Sequence, residues 1–191
     1  MGTLGAKVCS KAAGGGQWAA ALLALVAVGP AACSRHSQAP QPAAGQAGGR
    51  QTPSGFPVPR YVSTKFDKVN ARVGPGDDYA VKWVYRVKGL PLQVVAETEE
   101  WRRVCDSDGS LSWVRGRTTD ARHTVMRTQP QDLALHARPD DASPAVATLV
   151  GHAMAELKEC QGVWCRLSVG HARGWARADE VWGTASAPQC R

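Results

Sequence analysis

The feature that most constrains this chain is a repeat. The stretch "VNARVGPGDDYAVKWVYRVKGLPLQVVAETEEWRRVCDSDGSLSWVRG" is answered further on by "LALHARPDDASPAVATLVGHAMAELKECQGVWCRLSVGHARGWARAD". Pro75 aligns with Pro139, Trp101 with Trp164, Arg103 with Arg166, Val104 with Leu167, and Trp113 with Trp175. The Pro-to-Trp spacing is 26 residues in one copy and 25 in the other; the Trp-to-Trp spacing is 12 and then 11. Five landmarks in order, with single-residue slips, indicate a tandem duplication of a unit of about 60 residues. Units that small are marginal on core burial alone and lean on well-packed aromatics or disulfides.

Each unit reads as short strands. "VNARV" and "VKWVYRVK" alternate apolar and polar residues, and "GPGDD", "KGLP" and "SDGS" are turn signals. "LQVVAE" and "WRRVCD" flank "TEE", a hairpin loop length. No window of the mature chain has a helical period. Four or five strands at about ten-residue spacing predict an all-β fold: two tandem small β-barrels. The large share of Trp in so short a unit places Trp101, Trp113, Trp164 and Trp175 in the cores, with the first pair meeting across the barrel.

The N-terminus has the three parts of an export signal. Lys7 and Lys11 are positive, Trp18 to Val28 is apolar, and small residues follow at Gly29, Ala31 and Ala32. Eleven apolar residues rise only about 16 Å as a helix, short of a bilayer's ~30 Å. Residues 1–32 are therefore expected to be a signal peptide and 33–54, rich in Pro, Gln, Gly and Ala, a flexible linker. The first folded unit is expected over 55–125 and the second over 129–185. "PAAC" has a Cys after two small residues, with Pro30 three positions before it. Two alternatives stay open there: lipidation of Cys33, giving a membrane tether, or ordinary cleavage nearby.

Net charge is +7, but it is uneven. Residues 55–128 carry thirteen Lys and Arg against nine Asp and Glu; residues 129–191 carry six against seven. No block of five like charges occurs, which argues against a nucleic-acid partner.

The residues of the first unit resemble the bacterial SH3-like (SH3b) domain. "VNARVGPGDD" is similar to its hydrophobic-Asn-x-Arg-x-Gly-Pro-Ser opening, "GLPLQVV" to its second strand, and "EEWRRVCDSDGSLSWV" to its ending. The second unit departs from that opening at Ala134, His136 and Arg138 but keeps the ending. The resemblance runs from about Phe56 to Gly183 and extends to the exported two-repeat SH3b proteins of Gram-negative bacteria. It implies a non-enzymatic binding module of the periplasm or envelope. The implied partner is a cell-wall peptide of peptidoglycan or an envelope protein; the alternative is an adaptor that docks on a partner protein without touching the wall.

Candidate ligand-binding residues are Trp83 and Tyr85, which alternate with basic residues including Arg86, together with Arg72 and Trp182. The other reading of Trp83 and Tyr85 is core. Trp182 also suits a barrel end or the seam between the units. Cys160 and Cys165 bracket "QGVW", so a turn at Gln161-Gly162 brings them within disulfide reach. A zinc half-site is the competitor, but His152 and His171 do not have a usual metal spacing. Whether Cys105 and Cys190 pair stays open. Cys105 lies beside Asp106 in a strand pattern, poorly placed for a nucleophile. No catalytic motif, metal site or cofactor is expected.

Overall fold

The computed structural model describes residues 52–190. The expected signal peptide, Cys33 and the linker up to residue 51 lie outside the described residues.

Thirteen strands form two sheets. The first seven are β1 Arg60–Thr64, β2 Val69–Arg72, β3 Val81–Tyr85, β4 Pro91–Glu97, β5 Trp101–Cys105, β6 Leu111–Arg115 and β7 Thr119–Asp120. The remaining six are β8 Thr124–Met126, β9 Leu133–His136, β10 Ala145–Leu149, β11 Met154–Gln161, β12 Trp164–Val169 and β13 Ala172–Arg177. The first sheet runs β3-β2-β6-β5-β4-β1-β7 and the second β10-β9-β13-β12-β11-β8. These are one topology twice: β8 stands for β1, β9 for β2, and so on to β13 for β6. Even the end strand has a counterpart, since Trp182 bridges Met126 where β7 pairs with β1. A 3-10 turn follows β6 at Gly116–Thr118 and β13 at Ala178–Glu180. The second unit thus begins with β8, ahead of the expected start at residue 129.

Each sheet curls around its own interior. Val62, Val69, Ala71, Tyr85, Leu92, Val94, Val104 and Val114 come from six strands and meet in one cluster. Val125, Leu135, Leu149, Ala155, Cys165, Leu167, Ala176 and Val181 do the same in the second unit. The hydrogen-bonded ladders stay open, ending at β3 and β7 in one sheet and at β10 and β8 in the other. Burying each large aliphatic side chain contributes about 1.5–3 kcal/mol, so these clusters are the main apolar stabilisation.

The tryptophans divide: Trp101 and Trp175 are buried as expected, while Trp113 and Trp164 are not fully buried. Trp101 and Trp175 are 5% and 8% exposed, yet neither belongs to the inner cluster. Trp113 and Trp164 are only half-buried. Strand alternation explains this: Val104 points inward, so Trp101 and Arg103 share the opposite face of β5.

Only Ala121, Arg122 and His123 separate β7 from β8, and the units are clasped together. Ser63 Oγ lies 2.7 Å from Thr124 Oγ1, which donates to Gly89 O at 2.7 Å. Tyr61 stacks on His123 and meets Trp182 edge-on, both at 5.3 Å. Burial in this seam pushes the Tyr61 phenol up to about 12. The C-terminal segment then returns to the first unit. Buried Gln93 donates to Ala187 O and accepts from the Gln189 N–H, both at 2.8 Å. Cys190 is disulfide-bonded to Cys105, with Cα atoms 5.7 Å apart.

Candidate functional site

Each unit contains two Trp-x-Arg triplets on adjacent antiparallel strands. In the first they are Trp101–Arg103 on β5 and Trp113–Arg115 on β6. The register sets Trp101 opposite Arg115 and Arg103 opposite Trp113, with Arg72 of β2 on the other flank of Trp113. The second unit repeats it: Trp164 faces Arg177, Arg166 faces Trp175, and His136 stands in place of Arg72. Arg115 Cζ is 5.1 Å from the Trp101 ring centroid, and Arg177 Cζ is 5.9 Å from that of Trp164. A guanidinium over an indole face is attracted by the ring quadrupole.

A turn supplies the counter-charge. The loop from Gly74 to Tyr79 leads from β2 towards β3. At Gly74 the Tyr79 ring lies where a Cβ would stand, so the ring packs directly on the backbone there. Arg72 Nη1 donates to Tyr79 O at 2.7 Å and holds the loop down. Asp77 is thereby delivered to Arg115, with which it forms an ion pair, and to Arg72 at 3.6 Å. The hydrogen bond from Arg115 holds the Asp77 carboxyl below the usual carboxylate range, and Asp77 in turn raises Arg115. Glu100 is a second partner of Arg115, at 3.2 Å.

Around this group the surface is concave. A cleft of about 260 Å³ is lined by Lys68, Arg72, Asp77, Trp101, Arg115 and Arg117. An adjoining hollow of about 510 Å³ shares Trp101, Arg115 and Arg117 and extends to Glu99, Glu100 and Arg102 on the β4–β5 hairpin. Four cations against one acid make the first cleft basic; the hairpin side is acidic.

The hairpin itself is tied by Glu97. Its carboxylate accepts from Ser54 N at 3.0 Å, binds Arg60, and lies 3.9 Å from Arg102 Nε. Burial alone would raise the Glu97 carboxyl, but these partners outweigh it and hold the group at about 2. Glu97 pairs in register with Arg102; at the equivalent place in the second unit Cys160 pairs with Cys165. A disulfide there, with Cα atoms 4.0 Å apart, replaces an ion pair. Gly162, at φ 59°, opens the two-residue turn between Gln161 and Trp164. Both sulfurs are consumed, so the pair is no zinc half-site, and Cys105 is likewise bound to Cys190.

The five residues proposed from sequence separate. Arg72 lines the basic cleft. Tyr85 lies in the core, where its hydroxyl donates to Asp106 Oδ2 at 3.0 Å and burial pushes its ionisation up. Trp83 packs half-buried against that core with the Lys82 amine 4.9 Å from its ring centroid, and Arg86 is exposed beyond the end of β3. Neither lines the cleft. Trp182 is in the seam. Sequence reading missed Lys68, Asp77, Trp101, Arg115 and Arg117. The available signal was the second Trp-x-Arg of each copy, Trp113–Arg115 and Trp175–Arg177, which pairs with the first only once an antiparallel register is drawn.

No curated protein matches the chain. Solved structures that match include NlpC2 and NlpC1 from Trichomonas vaginalis, each 8% identical, with TM-scores of 0.30 and 0.31. The matches cover 64% and 66% of this chain and 47% and 46% of those chains, so the protein spans less than half their length. The profile of the bacterial SH3 domain matches residues 65–120 and 125–183, more than half of the sequence. Those segments cover β2 to β7 of the first sheet and all but the first residue of the second, and the chain belongs to the bacterial SH3 domain family.

Proposed function

We propose that the protein is an exported, non-enzymatic binding module of the bacterial envelope that recognises peptidoglycan peptides through the cleft lined by Trp101 and Arg115. The observation that carries this reading is the basic cleft itself, lined by a Trp–Arg pair on the first unit. A shallow groove with a few placed charges suits a short extended peptide better than a small molecule, which prefers deeper enclosure. Family membership supports the same class of partner. Two disulfides in the described residues are consistent with an oxidising, extracytoplasmic compartment. Release to the periplasm or tethering through a lipidated Cys33 are both compatible with this role.

Co-sedimentation of the purified mature protein with cell-wall sacculi tests the reading, compared with an Arg72→Ala, Arg117→Ala variant. Retention of the wild type and its loss in the variant are expected. If neither protein sediments, and cross-linking in cells yields one dominant protein partner, the adaptor reading replaces this one.

A further inference from the structure

The two copies share a frame and differ at its rim. Asp77–Arg115 in the first unit reappears as Asp141–Arg177 in the second, the latter at 3.6 Å. Trp101 under Arg115 reappears as Trp164 under Arg177. Two rim positions change sign. Lys68 becomes Asp132 one residue before β9, and Arg117 becomes Asp179 two residues after β13.

Their surroundings make the change meaningful. In the first unit Asp77 pairs with both arginines of the frame, and Glu100 also pairs with Arg115. Lys68 and Arg117 are exposed, line the same cleft, and form no ion pair among the described residues. In the second unit Arg177 lies between Asp141 and Asp179, each at 3.6 Å, and Asp132 accepts from the Gly151 N–H at 3.0 Å. His136, in place of Arg72, is bonded through Nδ1 to Ser143 O at 2.6 Å. So one copy has two unpaired cations at these rim positions, and its twin has two carboxylates there, Asp132 and Asp179.

We propose that the first unit alone is a carboxylate-binding site: Lys68 and Arg117 grip the free carboxylate of a peptide whose chain lies along the Trp101–Arg115 pair, and each protein chain takes one such ligand. This deepens the envelope-binding reading, on which it rests for the source of the peptide. A carboxylate fits because Asp77 already shows the frame accepting one. A second carboxylate meets net positive charge only in this copy, since like charge repels it in the other.

Two probes test it. The first is the sacculus, native or with its carboxylates amidated by carbodiimide and ammonia. The second is N-acetyl-trialanine as free acid or C-terminal amide, followed by NMR of the full mature protein. Expected results are at least tenfold weaker retention on amidated sacculi and shifts confined to the first unit with the free acid but not the amide. Lys68→Asp, Arg117→Asp is expected to abolish both, and Lys68→Gln, Arg117→Gln serves if the reversed pair folds poorly. Asp179→Arg is expected to leave the first-unit response unchanged. Equal response to acid and amide, shifts of equal size in both units, or displacement by inorganic phosphate but not by acetate would overturn the proposal. Failure of the native sacculus to retain the protein while the free acid still shifts the first unit would remove the envelope reading and leave the carboxylate site standing.

Discussion

Arg115 rests over the indole of Trp101 at 5.1 Å and, with the same guanidinium, holds Asp77 from the Gly74–Tyr79 turn. One side chain thus joins three elements that sequence separates: the start of β5, the end of β6 and the loop after β2. Arg115→Ala should free that loop and open Trp101 to water. A red shift of tryptophan emission and loss of protection in the 74–79 amides by hydrogen exchange would register it. Arg115→Lys should restore little, because a point charge cannot cover the ring and grip a carboxylate together. An unchanged emission spectrum in Arg115→Ala would contradict the packing described.

The two disulfides should differ in weight. Cys160–Cys165 closes a separation of 5 residues and Cys105–Cys190 one of 85. Loop-closure entropy gives about 2 kcal/mol for the first and about 4.5 kcal/mol for the second. Urea unfolding of Cys160→Ser, Cys165→Ser should therefore show the smaller loss. Cys105→Ser, Cys190→Ser should lose more and also free the segment that binds Gln93.

Acid should loosen the N-terminal tie. The Glu97 carboxyl is depressed in the folded state to about 2, from an ordinary 4.5. A depressed acid stabilises above its unfolded value, and the contribution fades as pH falls from about 4.5 towards 2. With solvent screening the loss is about 2 kcal/mol. Glu97→Gln should flatten that part of a stability-versus-pH profile; a profile of unchanged steepness would contradict the ion network with Arg60.

Two glycines should respond differently to Ala. At Gly174 the new methyl would meet Leu135 Cβ at 2.7 Å and His136 O at 3.1 Å, both fixed in the neighbouring β9. Overpacking of that kind costs about 1–3 kcal/mol. At Gly74 the obstacle is the ring of Tyr79, which is 48% exposed and free to swing away. Gly74→Ala should cost little stability but move Asp77, and so weaken ligand binding. Thermal melts of both variants separate the two effects.

Much of this was readable from residues. Period-2 alternation in "VNARV" and "VKWVYRVK", with turn signals between, reports strands directly, and the duplication makes each unit a check on the other. The hairpin disulfide followed from "CQGVWC" because a tight turn leaves few pairings. Other things were hidden. The Trp residues look alike by size, and only the strand register shows that Trp101 and Trp175 are buried while Trp113 and Trp164 stay partly open. Cys105 finds Cys190 through a chain reversal that no local pattern announces. The cleft unites Lys68, Asp77, Trp101 and Arg117 from four segments, so it exists only once β2, β5 and β6 are registered.

The central claim is that ligand is taken in the first unit, along the Trp101–Arg115 pair, while its twin stays idle. A nitrogen-15 NMR titration of the mature protein with soluble peptidoglycan fragments reads this residue by residue. Shifts concentrated at 68–79 and 99–118, with 132–141 and 162–180 unmoved, are the predicted result. Perturbation centred on the second unit, or spread equally over both, would contradict it.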